Sequence, residues 1–186
     1  MKLPSPHGYA FWLALVRIYT GIFWLMHGVP KFTQSEMFMP PGGFMVQFIQ
    51  QAITHTSGPY QHFLQNVVLP NAWLFAELSR LGEVTAGLLL LLGFYSRLGG
   101  IVGAILALNY LSAQGGLAHL RFWSGLDSTA FVLSLISVVL PTGRFLGIDG
   151  VLHALRRRSH PVAAPAPEQP VFVDEPPMTG PQAPSA

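Results

Sequence analysis

Long apolar runs separated by polar breaks dominate the first 140 residues of the chain. Because a helix of about twenty apolar residues crosses a bilayer, the pattern predicts four membrane-spanning helices. Their predicted bounds are 9–29, 73–95, 98–113 and 126–140, the last two being at the lower limit of length. We therefore expect an all-α integral membrane protein, a four-helix bundle with both termini on one side of the membrane.

The outer connection between the first two spans, residues 31–70, has a helical pattern of its own. Apolar residues recur at i, i+3 and i+4 in two segments, which the helix breaker Gly58-Pro59 separates. The two sets are Phe44, Met45, Phe48, Ile49, Ala52 and Ile53, and then Tyr60, Phe63, Leu64, Val67 and Val68. The pattern predicts two short amphipathic helices, which either lie at the outer interface or fold over the bundle as a lid.

The chain after the fourth span changes character twice. Residues 142–158 form a short amphipathic segment with a basic end, which is predicted to lie on the inner membrane surface. Residues 159–186 are rich in proline and alanine and are predicted to be a disordered cytoplasmic tail that carries no chemistry. The predicted organisation is one membrane domain, residues 1–158, followed by this tail.

Composition and charge support the same assignment. Hydrophobic residues make up 51% of the chain and charged residues only 10%, whereas a soluble domain has about 25% charged residues. The basic residues on the predicted inner side are Lys2, Arg97, Arg144 and residues 156–158, and those outside are Lys31 and Arg121. This asymmetry predicts an N-in, C-in, multi-pass protein of a bacterial inner membrane, and marks the basic run as cytoplasmic rather than as a nucleic-acid site.

The absence of cysteine from the sequence limits the chemistry. It excludes disulfides, thiolate nucleophiles, iron–sulfur clusters and paired-cysteine electron relays. Any electron transfer would therefore need an organic cofactor, a haem or a partner protein. His27 and His119 are a single histidine pair on separate elements, so haem is not the expected cofactor, and no ligand spacing typical of a metal site occurs.

Two charges lie well inside predicted spans, where each costs about 2.5–3.5 kcal/mol on insertion scales. Arg17 shares a helical face with Gly21 and Gly28, and Glu83 shares one with Gly87. Small residues let helices approach closely, so these faces are expected to pack antiparallel and to form an Arg17–Glu83 ion pair in the bundle core. The alternative to a chemical role is that the pair only fixes the helix register.

Two further charges, Glu77 and Arg80, lie nearer the outer end of the same predicted helix. They are three residues apart and are therefore expected to pair along the helix. Such a pair contributes only about 0.2–0.5 kcal/mol when it is exposed. We interpret it as an interfacial pair beneath the loop helices.

The aromatic residues of the spans could line an apolar cavity for a quinone. A quinone ring needs flat apolar walls, hydrogen-bond donors for its carbonyls and a titratable group. Arg17 and Glu83 are the candidate catalytic residues, and His27, Trp24 and Tyr110 are the candidates for cofactor binding. The alternative is that the aromatic residues serve only in packing or in the interfacial belt.

Three motifs, RIYTGIFWLMHGVPKF, GEVTAGLLLLLGFYSRLGG and PTGRFLGIDGVL, occur in order across the spans. Together they resemble the DoxX/DoxD family of small four-helix membrane proteins, whose DoxD branch is the large membrane subunit of thiosulfate:quinone oxidoreductase. The resemblance covers roughly residues 12–155 without most of the outer loop, and it implies a role beside the quinone pool. The matching positions are Arg17, Lys31, Glu83, Arg97, Arg144 and Asp149, with the glycines Gly21, Gly28, Gly87 and Gly143.

Two functions remain open at this point. The first is a subunit of a quinone-linked redox system, in which the outer-loop helices cover the cavity or dock a periplasmic or membrane redox partner. Thiosulfate is not the expected substrate, since no cysteine is present to hold a sulfur intermediate. The second is a non-catalytic, structural subunit of a larger respiratory or photosynthetic membrane complex. The sequence leaves open whether the protein is an enzyme.

Overall fold

The computed structural model describes residues 6–115, 125–140, 142, 147–151 and 155. This part of the chain is helical and contains no β-strand, so the all-α prediction is confirmed. The elements are α1 (Pro6–Thr33), α2 (Ser35–Phe38), α3 (Phe44–His55), α4 (Gly58–Phe63), a π-helical turn (Leu64–Val68), α5 (Ala72–Leu92), α6 (Ser96–Ala113) and α7 (Leu126–Val139). The predicted spans correspond to α1, α5, α6 and α7.

These four helices pack on one another in a ring. Helix α1 packs against α5, α5 against α6, α6 against α7, and α7 against α1. Helices α1 and α5 approach each other closely, since a Cβ on Gly21 would lie 2.6 Å from the backbone nitrogen of Leu91. A Cβ on Gly28 would lie 2.9 Å from the Cβ of Glu83, and Gly87 contacts the backbone of Gly21 in the same way. The predicted packing of the two small-residue faces is therefore confirmed.

The ring is apolar on its outer surface, and its interior contains polar side chains beside an apolar cluster of Trp24, Ala86, Leu90, Ala107 and Ala130. Large exposed apolar side chains include Trp12, Tyr19, Met26, Leu81, Ile105 and Val139. Buried polar side chains include Arg17, Thr20, Ser79, Glu83, Ser112, Ser134 and Ser137. Contiguous exposed apolar surface of this kind marks contact with a membrane or with another protein.

The helices of the ring differ in length and composition. Among the described residues, Tyr9–Thr33 and Ser96–Ala113 are long and apolar enough to cross a membrane, while Leu126–Val139 is apolar but shorter. Helix α5 has 21 residues and includes three charged side chains, Glu77, Arg80 and Glu83. The predicted four spans are thus four helices, of which two meet the criteria for a span.

The segment between α1 and α5 folds over one end of the ring. Helix α3 contacts the π-helical turn, α5 and α6, and it buries Met45, Ile49 and Ala52 in a cluster with residues of the turn and of α5. The hydroxyl of Tyr60 on α4 donates to Asn109 Oδ1 of α6 at 3.3 Å, and burial raises the pKa of this phenol. The segment thus packs on α5 and α6, as a lid would. We call residues 35–68 the lid and this end of the ring the lid end.

Several predicted features lie outside the described residues. These are the tail 159–186, the basic run 156–158, His119, Gly143 and Arg144. Parts of the amphipathic segment after α7 are described, and Ile148 and Leu155 are exposed there.

Candidate functional site

Four polar side chains meet inside the lid end of the ring. Lys31, in the last turn of α1, donates through Nζ to Glu83 Oε1 at 2.7 Å, to Ser79 Oγ at 3.2 Å and to the Tyr110 hydroxyl at 3.3 Å. The Tyr110 hydroxyl donates to Glu83 Oε1 at 2.6 Å and lies 2.7 Å from Ser79 Oγ. We call Lys31, Ser79, Glu83 and Tyr110 the polar network.

The donors and acceptors of the network can be counted. An ammonium has three protons, and those of Lys31 are directed to three different acceptors. Tyr110 gives its single proton to Glu83, so Ser79 must donate to Tyr110. Glu83 is only 1% exposed, and its Oε2 has no hydrogen-bond partner among the described residues. The network is therefore satisfied except at one buried carboxylate oxygen.

The charges of the network compensate each other. The Lys31–Glu83 ion pair is neutral overall, and the Lys31 side chain is 20% exposed. The ammonium also lies 4.9 Å from the ring centroid of Phe38 and 5.3 Å from that of Tyr110, within the range of a cation–π interaction. Opposite charge and two aromatic faces thus replace the water that both groups have lost.

A cavity of about 220 Å³ adjoins the network between the lid, α5 and α6. Its walls are mainly apolar, and the lining residues include Met45, Phe48, Ile49, Leu64, Val68, Phe75 and Leu106. Ser79, Asn109 and Tyr110 are the polar residues of the lining, so the network reaches the cavity through two hydroxyls.

The cavity also reaches the apolar outer surface of the ring. Leu78 of α5 and Ile105 of α6 line it, and they are 55% and 62% exposed. Both side chains therefore border an opening that faces whatever surrounds the ring. Asn109, which is exposed and polar, also lines the cavity.

The predicted Arg17–Glu83 ion pair is wrong. Glu83 pairs with Lys31 and lies opposite Gly28. Arg17 precedes Gly28 by eleven residues, which is about 16 Å along a helix at 1.5 Å per residue. Arg17 lies instead against Gly93, at the opposite end of the ring, where a Cβ on Gly93 would collide with Nη1 of the guanidinium. The small faces pack as predicted, but their axial register places the arginine at another depth.

Asp149 caps the first turn of α6 at the same end of the ring as Arg17. Asp149 accepts hydrogen bonds from the backbone of Tyr95 at 2.9 Å and of Ser96 at 3.2 Å, and from Ser96 Oγ at 3.0 Å. Its own backbone nitrogen donates to the carbonyl of Gly93 at 2.9 Å. A carboxylate at the first amides of α6 satisfies free donors and favours the helix dipole. Asp149 therefore fastens the chain after α7 to the α5–α6 turn.

The other candidate residues lie apart from the cavity. Trp24 is buried and donates through Nε1 to Ser134 Oγ of α7 at 3.1 Å. His27 is exposed, and its Nδ1 donates to the carbonyl of Phe23 at 2.8 Å. Of the three predicted cofactor-binding residues, only Tyr110 lines the cavity.

Three further expectations concern charges and metals. The predicted Glu77–Arg80 pair is confirmed, with Arg80 Nε donating to Glu77 Oε2 at 2.8 Å, and Arg80 also covers the ring of Phe32. Arg97 is exposed at the start of α6. Within the described residues no group of three or more histidine and acidic side chains could hold a metal ion.

The sequence pattern marked Lys31 as a motif position and as an outer basic residue, and it did not single out Ser79. A signal for both existed. Ser79 and Glu83 are an i, i+4 pair on one face of α5, and Lys31 is three residues after Gly28, the glycine that faces Glu83. These spacings align a lysine, a serine and a carboxylate once α1 is continued past Pro30.

Comparison with known proteins bears on the family. Residues 12–113 match the DoxX family. A search of curated proteins and a search of solved structures gave no match. The matched range covers more than half of the chain and includes all four residues of the polar network. The chain is therefore a member of the DoxX family of membrane proteins.

Proposed function

We propose that the protein is a quinone-binding subunit of a membrane redox system and that the cavity beside the polar network receives the quinone ring. The observation that carries the proposal is an apolar cavity with two linked hydroxyls, those of Ser79 and Tyr110, backed by a buried carboxylate. This combination meets the needs of a flat apolar carbonyl compound that also exchanges protons.

The size of the cavity is consistent with a ring and not with a whole lipid. At about 220 Å³ it is smaller than the roughly 300–1,000 Å³ of pockets that enclose drug-sized ligands. A ring could fit inside while an isoprenoid tail lies outside, past Leu78 and Ile105. A bound quinone supplies two-electron chemistry that is coupled to proton uptake and release.

The residues of the network have distinct parts in this proposal. The hydroxyls of Ser79 and Tyr110 rotate easily, so their protons can turn from the network towards a carbonyl oxygen in the cavity. Glu83 can take up a proton at Oε2 without breaking either bond that Oε1 accepts. Lys31 stabilises the carboxylate form and, through its bond to the Tyr110 oxygen, orients the phenol. Arg17 has no part in this chemistry, because it lies at the other end of the ring.

The proposal includes a placement in the bacterial inner membrane. Helices α1, α5, α6 and α7 would form a four-helix bundle with both termini inside and the lid outside, as the basic residues predict. The opening between Leu78 and Ile105 would then face the lipid in which quinones dissolve. Electrons would come from a membrane or periplasmic redox protein bound at the lid side.

Quinone binding to the purified protein in nanodiscs tests the proposal. Tryptophan fluorescence would be titrated with a short-chain ubiquinone and with a menaquinone analogue. Tyr110→Phe removes one donor, whose net worth of about 0.5–1.5 kcal/mol predicts a roughly 2- to 13-fold weaker binding. Tyr95→Phe is the matched control, since Tyr95 is exposed at the opposite end of the ring. Absence of binding by the unaltered protein, or equal effects of the two variants, contradicts the proposal.

A structural role is the second candidate, and one observation favours it. The polar network connects α1, α5 and α6 through Lys31, Glu83 and Tyr110, which is what a group that fixes helix register would do. Native extraction in mild detergent distinguishes the two functions. Recovery within a large complex whose cofactors all belong to other subunits, together with no quinone binding, would assign the structural role.

A further inference from the structure

A second depression lies at the lid end, next to the cavity. This crevice has a volume of about 350 Å³ and is formed by the C-terminal parts of α3 and α6. Gln51, His55 and Gln114 give it polar walls, and Gln51 and His55 are exposed. The chemistry of its lining is therefore that of a surface in contact with water.

The crevice and the apolar cavity share part of their lining. Phe48, Ala52 and Ala113 line both of them, so a single layer of side chains separates the two spaces. Phe48 is the only large side chain of the three, and its ring packs edge-on against Tyr110 with the centroids 6.1 Å apart. The two alanines have no atoms beyond Cβ with which to close a gap. Phe48 therefore contributes the largest side chain to the shared wall.

We propose, relying on the proposed function only for the identity of the ligand, that the crevice is the water-side entrance of the site and that Phe48 is the residue that keeps water from the hydroxyls of Ser79 and Tyr110. Protons that reach Glu83 must exchange with water at some point. Leu78 and Ile105, the exposed apolar residues of the cavity wall, carry no group that can transfer a proton. The crevice brings polar groups to within one side chain of the network.

This arrangement gives Phe48 a positioning role. A closed ring keeps the Lys31–Glu83 pair in an environment of low dielectric constant, where the attraction between the charges is strong. A displaced ring admits water to Tyr110, and from there to the carboxylate. The same side chain would therefore set how fast the network exchanges protons and how strongly it holds its charges.

Thiol labelling provides a direct test, because the natural chain contains no cysteine. Ser79→Cys places one thiol at the cavity wall, and a charged, water-soluble thiosulfonate reports its accessibility from water. We expect slow reaction when Phe48 is present, and reaction roughly tenfold faster or more when Phe48→Ala is added. Met37→Ala is the control, since Met37 is also in the lid, is 71% exposed and lines neither space. An uncharged, lipid-soluble maleimide should react at similar rates in all three proteins.

The outcomes separate this inference from the proposed function. Equal labelling rates with and without Phe48→Ala, or equal acceleration by Met37→Ala, overturn it. Faster labelling that a short-chain ubiquinone does not slow leaves the entrance standing and contradicts quinone binding. Protection by the ubiquinone without any effect of Phe48→Ala overturns the entrance alone. Should the alanine variant fail to elute as a folded protein, Phe48→Leu, with a smaller side chain, should give an intermediate acceleration, and no acceleration would overturn the proposal equally.

Discussion

The substitution Lys31→Met removes a charge from the polar network and keeps a side chain of similar shape. Methionine retains an unbranched apolar stem but removes the ammonium that donates to Glu83 at 2.7 Å. Glu83 is 1% exposed, and in the variant its carboxylate would keep only the Tyr110 hydroxyl as a donor. The substitution therefore leaves a buried charge without its counter-charge.

The expected loss of stability follows from that burial. Removal of one partner from a buried ion pair costs about 3–5 kcal/mol. For a chain of this size, 1 kcal/mol corresponds to a shift of about 2–4 °C in the unfolding midpoint. Lys31→Met should therefore lower the midpoint by roughly 6–20 °C. Adding Glu83→Gln should restore more than half of the loss, because the amide is uncharged and still accepts the hydrogen bond from Tyr110.

The assay is the thermal unfolding of the purified protein in mild detergent, followed by tryptophan fluorescence and by elution volume. Arg97→Met is the control for loss of a cation, since Arg97 is exposed and its replacement should change stability by less than about 0.5 kcal/mol. The reasoning is refuted if Lys31→Met costs no more than this control. It is also refuted if the effects of Lys31→Met and Glu83→Gln simply add in the double variant, because coupled partners cannot be additive.

Three smaller predictions concern the rest of the ring and use the same unfolding assay. Gly93→Ala should destabilise the protein by at least about 1–2 kcal/mol, because Gly93 has a φ of +64° and a Cβ there would meet Arg17. Gly42→Ala is the control and should be nearly neutral, since the space around Gly42 is open. Asp149→Ala should cost roughly 0.5–2 kcal/mol through loss of the cap on α6, and no change would exclude that role. Glu77→Gln should cost roughly 1–3 kcal/mol, because the side chains of Glu77 and Arg80 are only 18% and 16% exposed, and a change below about 0.5 kcal/mol would contradict a partly buried pair.

The helices and their apolar faces were accessible from the sequence. The predicted spans 73–95, 98–113 and 126–140 correspond to Ala72–Leu92, Ser96–Ala113 and Leu126–Val139. In α3 the buried residues Met45, Ile49 and Ala52 all belong to the predicted apolar face. The spacing of apolar residues indicates which side of a helix is buried, and these segments are long enough to show that spacing.

Which residues meet at the site could not be predicted from the sequence, for two physical reasons. The first span was predicted to end at residue 29, before Pro30, but α1 continues through Pro30 to Thr33. Lys31 was therefore assigned to a loop although it lies in the last helical turn. The second reason is axial register. Glycines on two helices predict close packing, yet a glycine of one helix can face several positions of the other, and only the structure pairs Gly28 with Glu83.

The contact between Lys31 and Phe38 links the core of the ring to the lid. The ammonium holds Glu83 on one side and the face of Phe38 on the other, and Phe38 belongs to the buried cluster from which the lid is built. Neutralising Glu83 would remove the main attraction that keeps the ammonium between these partners. The charge of one residue of α5 therefore bears on the anchoring of the lid as well as on the packing of α1 against α5.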